Sequence, residues 1–173
     1  MANKTYNFKP DKNFKQGYVL TDENKEVIYE AIMTKWTLFL PFKFQFVNHL
    51  TNKTEEHKVS HTVTSSVSGF GGELQRMLTT KSSFKFDGKK IWDYLHEMGV
   101  RLNSSFSKGS LGMTYTMLLN GEPIATLATS MPDGKKFILT AKCCYDITTD
   151  EKYLDLAFLG AFALARTEQL INE

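Results

Sequence analysis

Apolar residues dominate one segment near the end of the chain. Twelve of the thirteen residues in 153–165 are non-polar or aromatic, and Asp155 is the exception. A surface helix shows polar residues at every third or fourth position, so a helix that is apolar on all sides has to be enclosed. At about 1.5 Å per residue the segment spans only ~20 Å, which is short of the ~30 Å core of a bilayer. We therefore predict a buried helix over 153–165.

The remaining chain shows patterns that are typical of β-strands. Phe42, Phe44 and Phe46 alternate with polar residues, which indicates a half-buried strand. Asn120 and Gly121 separate two apolar runs and give the strongest short-range signal for a β-hairpin. Further strands are predicted over 18–20, 27–32, 57–68, 113–119, 123–129 and 137–145.

One short helix is predicted among these strands. Residues 91–98 have the apolar spacing of a helix, with Asp87 as a candidate cap at its start and Gly99 at its end. Before the buried helix, Thr148 and Glu151 have the spacing of a capping box. The sequence thus predicts a protein that is mainly β with α.

Length and composition are typical of a soluble globular protein. The chain has 173 residues, of which 42% are hydrophobic and 23% are charged, and we predict a single domain over 1–173. The first residues contain no apolar run of the kind found in signal peptides. Cys143 and Cys144 are adjacent and cannot form a disulfide framework, so both are expected to be packing residues. We therefore predict a cytoplasmic protein.

Candidate catalytic and metal-binding residues are weakly marked. His57 and His61 lie on one predicted strand, ~13 Å apart, which is too far for one metal ion. They are better explained as surface histidines. The glycines at 69, 71 and 72 lack the ending of a phosphate-binding loop, and no nucleophile has an identifiable base. We expect no enzymatic activity, no cofactor and no metal.

Charge is unevenly distributed along the chain. The net charge of +2 is too small to indicate nucleic-acid binding, but residues 76–108 carry a net charge of +4 and residues 146–173 a net charge of −4. In the basic stretch, four lysines surround Phe84, Phe86 and Trp92; they are Lys81, Lys85, Lys89 and Lys90. This mixture suits an anionic lipid surface. The alternative is a solvated loop with its aromatic residues packed inward.

Three segments together resemble the tubby C-terminal-like superfamily, in particular its LURP-one-related and phospholipid-scramblase-like branches. They are the hairpin 18–31 with its acidic turn, the hairpin 115–127 with its Asn-Gly turn, and the strand 137–145 that runs into the apolar helix. The resemblance implies a closed antiparallel β-barrel enclosing the C-terminal hydrophobic helix. The short helix 91–98, predicted from its own apolar spacing, is then expected to be peripheral. Members of the superfamily are variously linked to phosphoinositide binding, membrane-associated lipid handling and plant defence. The basic residues of tubby-type lipid binding have no matching positions here.

These observations predict a non-enzymatic binding module. Its leading ligand class is anionic phospholipid head groups or a membrane surface, bound through the stretch 76–108. The alternative is a protein-interaction or scaffold domain, which would bind a protein partner through an exposed barrel edge or through the helix 91–98. A hydrolase or transferase working in a barrel mouth is a third and remote alternative. The oligomeric state is left open.

Overall fold

The fold was obtained as a computed structural model, which describes residues 3–11, 17–35, 42–68, 77–106, 113–130 and 144–172. The chain is mainly β, with one large antiparallel sheet and a C-terminal helix. The strands are β1 (Lys4–Pro10), β2 (Tyr18–Thr21), β3 (Val27–Lys35), β4 (Phe42–Asn48), β5 (Lys53–Ser68), β6 (Met77–Phe86), β7 (Lys89–Lys90), β8 (Val100–Phe106), β9 (Met113–Leu119), β10 (Glu122–Thr129) and β11 (Tyr145–Thr149). The helices are α1 (Ile91–Glu97) and α2 (Leu154–Asn172), and a 3-10 turn (Glu151–Tyr153) precedes α2.

Neighbouring strands in the sheet are also neighbours along the chain, except that β1 pairs with β11. The described strands lie in the order β7-β6-β5-β4-β3-β2-β1-β11-β10-β9-β8, and every neighbouring pair is antiparallel. The sequence patterns did not predict strand β1. It lies between β2 and β11, so the first strand of the chain pairs with the last one. Helix α1 contacts β7 and β8, the two end strands of this order.

Helix α2 packs its aromatic residues against the inner face of the sheet. Every residue from 157 to 166 is buried, which confirms the prediction of a buried helix. The ring of Phe158 lies 4.2 Å from that of Tyr29, measured between centroids, and the ring of Phe162 lies 5.1 Å from that of Phe46. On another side of α2, a Cβ atom added at Gly160 would overlap the terminal methyl group of Met117 in β9. The apolar sequence of α2 therefore reflects contact with strands on several of its sides.

The two predicted hairpins are confirmed. Strands β2 and β3 pair across the acidic turn, and β9 and β10 pair across Asn120 and Gly121. These two residues have φ angles of 51° and 89°, as required for a type I′ turn. The short helix is also confirmed as α1, with Gly99 in the left-handed region at its end.

Both predicted N-terminal helix caps are wrong. Helix α1 begins after Lys90, which makes no side-chain capping bond, because Asp87 lies in the turn between β6 and β7 instead. Thr148 belongs to strand β11, and it is Asp150 that accepts a hydrogen bond from the backbone N–H of Lys152 in the 3-10 turn. The chain makes this extra turn before α2, so the capping residue lies later than the sequence pattern indicated.

Other predictions fall partly on residues outside the described part of the chain. These include residues 137–143 of the predicted strand, the glycines at 69, 71 and 72, and Cys143. The described strand in this region, β11, starts at Tyr145. Cys144 is buried, in agreement with a packing role, and burial raises the pKa of its thiol. Among the described residues, no helix combines the length and the hydropathy needed to cross a membrane.

Candidate functional site: lysines on the outer face of the sheet

Strands β4 to β7 have one face toward α2 and one face toward solvent. Side chains alternate between the two faces of a strand, so every second residue is directed away from the core. The inward residues include large apolar side chains that are almost completely buried: Phe44, Phe46, Val59 and Phe86. The residues between them therefore define an outer face, and their identities decide what that face can bind.

Four lysines from four strands come together on this outer face. Lys43 of β4 is the direct cross-strand partner of Lys58 of β5. Lys85 of β6 is the direct partner of Lys90 of β7. Ser60 faces Lys85, so Lys58, two residues before Ser60, is the diagonal neighbour of Lys85. We call Lys43, Lys58, Lys85 and Lys90 the lysine ladder.

The lysine ladder carries an excess of positive charge. Lys43 forms an ion pair with Glu56 at 2.9 Å, whereas Lys58, Lys85 and Lys90 have no acidic partner among the residues that the structure describes. Directly opposed side chains on neighbouring strands have Cβ atoms about 5 Å apart, and like charges at this distance are destabilising. The Lys85–Lys90 pair therefore costs stability unless an anion binds between or above it, whereas Glu56 already compensates part of the charge of the Lys43–Lys58 pair.

The structure divides the basic stretch of the sequence into parts with different surroundings. Lys85 and Lys90 belong to the lysine ladder and are exposed. Lys89 forms an ion pair with Glu97 of α1 at 2.6 Å, and this hydrogen bond and the charge of Glu97 raise the pKa of Lys89. Lys81 is the register partner of Thr64 on β5, and its side chain lies outside the described part. The structure thus places Lys85 and Lys90 side by side and holds Lys89 against Glu97.

Two aromatic residues of the same stretch, Phe86 and Trp92, point into the protein. Phe86 is fully buried, and Trp92 is partly buried and packs against the core. The segment is a β-hairpin followed by α1 and strand β8, and it is not an open loop within the described residues. Neither Phe86 nor Trp92 is therefore placed to insert into a lipid layer.

A hydrogen-bonded turn holds β7 in place beside β5. Asp87 and Gly88 have φ angles of 50° and 84°, the left-handed conformation of a type I′ turn. The Oδ1 atom of Asp87 accepts a hydrogen bond from the backbone N–H of Lys58 at 2.8 Å, and its Oδ2 atom lies 2.7 Å from His57 Nδ1. The imidazole of His57 stacks on the ring of Phe86, with centroids 4.5 Å apart. The turn thus fixes the strands that carry Lys58, Lys85 and Lys90.

His57 differs from the surface histidine that the sequence indicated. Its side chain is only 14% exposed, because it lies between Asp87 and the ring of Phe86. Strand β5 extends over Lys53–Ser68, so the interpretation that His57 and His61 lie on one strand is confirmed. No group of three or more metal-binding side chains occurs within the described ranges.

Sequence reasoning missed Lys43 and Lys58 as members of the site. Each stands alone among polar or apolar neighbours in the sequence, and neither lies in the basic stretch 76–108. The alternation of Phe42, Lys43 and Phe44 already indicated that Lys43 faces outward. The pairing of β4 with β5, and of β5 with β6, was the missing information, because strand register is not readable from one sequence.

Comparisons with known proteins add no family to this description. The chain matches no protein-family model, no curated protein sequence and no solved structure with which we compared it.

Proposed function

We propose that the protein is a non-enzymatic binding module whose lysine ladder binds anionic phospholipid head groups at a membrane surface. The observation that carries this proposal is the direct pairing of Lys43 with Lys58 and of Lys85 with Lys90 on one exposed face. The Lys85–Lys90 pair, which has no acidic partner among the described residues, opposes folding unless a ligand compensates its charge. Some members of the tubby C-terminal-like superfamily, which the chain resembles, are linked to phosphoinositide binding.

We also propose that the sheet closes around α2 as a β-barrel. Two contacts support closure: α1 touches the end strands β7 and β8, and α2 packs against β1 to β4 and against β9. In such a barrel α1 fills the space between the two end strands. A closed sheet keeps the lysine ladder on a rigid, convex outer surface, which limits the loss of side-chain and backbone freedom on binding.

The binding expected from this face is electrostatic and reversible. Each lysine close to an anionic membrane contributes about 1 kcal/mol. Because Lys43 is already paired with Glu56, the other three lysines give about 3 kcal/mol, which corresponds to a dissociation constant of roughly 6 mM. Because Phe86 and Trp92 pack inward, they add no insertion into the lipid layer. Salt should release the protein, since ~0.1 M salt screens exposed charges over about 10 Å.

Vesicle sedimentation tests the proposal. Wild-type protein should sediment with phosphatidylcholine vesicles that contain phosphatidylserine, and it should stay in the supernatant with phosphatidylcholine alone. A variant with Lys43→Gln, Lys58→Gln, Lys85→Gln and Lys90→Gln should lose this difference. The matched control removes four positive charges outside the lysine ladder, through Lys25→Gln, Lys53→Gln, Arg101→Gln and Lys152→Gln.

Comparing the two variants distinguishes binding at the lysine ladder from nonspecific attraction by the net positive charge. The control variant should keep most of the binding to phosphatidylserine, because its substitutions leave the outer face of β4 to β7 unchanged. Equal losses in both variants would show that net charge and not the lysine ladder governs binding. If wild-type protein binds no vesicle, the lipid proposal fails, and a protein-interaction domain that uses the end strand β8 becomes the leading alternative.

A further inference from the structure

Three outward side chains from three neighbouring strands form a row across the lysine ladder. Ser60 of β5 faces Lys85 of β6, and Lys85 faces Lys90 of β7. Neighbouring strands lie about 4.8 Å apart, so the row spans about 10 Å. It places one hydroxyl group and two ammonium groups side by side on the outer face. The row thus combines hydrogen-bond donors with concentrated positive charge.

Within the described part of the chain, no acidic group compensates the charge of this row. Lys85 and Lys90 are exposed and form no ion pair there, whereas Lys43 is paired with Glu56. The turn after β6 also sets the position of the row, because Asp87 accepts a hydrogen bond from a backbone N–H of β5. An anion with two negative charges would therefore meet lysines whose strands are already fixed, which limits the freedom lost on binding.

The row suits a phosphate monoester better than the head group of phosphatidylserine. A phosphate monoester carries a charge of about −1.5 to −2 at pH 7, and its three terminal oxygens accept hydrogen bonds. One such group can accept charge-assisted bonds from Lys85 and Lys90 together, and a further bond from the Ser60 hydroxyl. The phosphodiester of phosphatidylserine has fewer terminal oxygens and less negative charge. The ammonium group of that lipid is also repelled by the lysines.

We infer that the row of Ser60, Lys85 and Lys90 selects phosphatidic acid, a membrane lipid whose head group is a bare phosphate monoester. This inference rests on the proposed function, because it names the head group that the lysine ladder binds. The phosphate bridges the two ammonium groups and so removes the repulsion between them. Lys58 and Lys43 add attraction to the anionic membrane around it. A soluble phosphate monoester offers the same chemistry, so the experiment includes both sources.

Vesicles of equal zeta potential test the selection, because they remove differences in general charge attraction. Wild-type protein should bind phosphatidylcholine vesicles that contain phosphatidic acid about fivefold more tightly than those that contain phosphatidylserine. Equal affinity for the two vesicles would overturn this inference and leave the proposed function intact. The absence of binding to either vesicle would instead refute the proposed function, and the inference with it.

A pair of double variants locates the selection. Lys85→Gln with Lys90→Gln should bind the two kinds of vesicle equally. The matched control, Lys25→Gln with Arg101→Gln, removes the same charge from exposed positions outside the lysine ladder and should keep the fivefold ratio. Loss of the ratio in both variants, or in neither, would overturn the inference.

Ser60→Ala tests the row without a change of charge. The variant should bind vesicles with phosphatidic acid at least about threefold more weakly, because it loses a donor to the third phosphate oxygen. Its binding to phosphatidylserine vesicles and its melting temperature should match those of wild type. An unchanged affinity for phosphatidic acid, or an equal loss for both lipids, would contradict the bridging of the phosphate by this row.

Glycerol 3-phosphate distinguishes the two sources of the phosphate monoester. At millimolar concentration it should release no more protein from phosphatidic acid vesicles than sodium sulfate of equal ionic strength, because a soluble molecule lacks the additional contacts of a membrane with Lys43 and Lys58. Release by glycerol 3-phosphate alone would assign the row to a soluble ligand and overturn phosphatidic acid. Tighter binding to phosphatidylinositol 4-phosphate at equal zeta potential would also overturn it, since ring contacts would then determine the selection.

Discussion

The two faces of strands β4 to β7 share one backbone and differ in almost every other respect. The inner face buries four large apolar side chains against α2, and the outer face carries the lysine ladder. Because side chains alternate, residues adjacent in sequence, such as Lys43 and Phe44, belong to opposite environments. A shift of one residue in register would place lysines in the core, so the burial of Phe44 and Phe86 also determines where the lysines lie.

The energies of the two faces differ by size and by sign. Burying a phenylalanine side chain stabilises the fold by roughly 1.5–3 kcal/mol. A pair of like charges on neighbouring strands costs about 0.2–1 kcal/mol. The inner face therefore stabilises the fold and the outer face does not. Residues of the outer face can be replaced with little effect on folding, so they are available for binding.

The largest effect is expected from Phe158→Ala in α2. Phe158 is fully buried, and its ring packs on rings from three strands, so removing it leaves a cavity. The free energy of unfolding should fall by roughly 3–5 kcal/mol. Urea denaturation measures this change, with Leu50→Ala at a half-exposed position as the control. A loss below 1 kcal/mol would contradict the inner position of this helix.

An intermediate effect is expected at Asp87, in the turn between β6 and β7. Asp87→Ala removes the acceptor of the Lys58 N–H group and the partner of His57, and it places alanine at a φ angle of 50°. The loss of stability should be about 1–2 kcal/mol. Asp87→Asn keeps an acceptor oxygen and a residue that tolerates this conformation, so it should cost less. Equal losses in the two variants would show that the side-chain oxygen does not hold the turn.

The smallest effect on folding is expected on the outer face. Lys85→Gln together with Lys90→Gln removes one like-charged pair, so stability should change by less than about 0.5 kcal/mol or rise slightly. Lys89→Gln is the control, because it breaks the ion pair with Glu97 and should lower stability slightly. Thermal melting at low salt measures both. A large loss in the double variant would assign the lysine pair a structural role and weaken the binding proposal.

Local patterns predicted the elements well where the signal was periodic. The all-apolar segment became α2, the alternation around Phe44 became β4, and Asn120 with Gly121 became a type I′ turn. The predicted cap at Asp87 failed because its carboxylate bonds His57 and the backbone of Lys58, which lie 30 and 29 residues earlier in the sequence. A residue suited to helix capping is also suited to a turn, and only the neighbours decide between the two.

The sequence by itself determined that α2 is buried, since a helix without a polar face has no other stable position in water. It also determined which residues of β4 lie inward, because the alternation of Phe and Lys leaves one choice of face. Tertiary structure alone decided which lysines meet, because the register between strands sets distances that one chain segment does not encode.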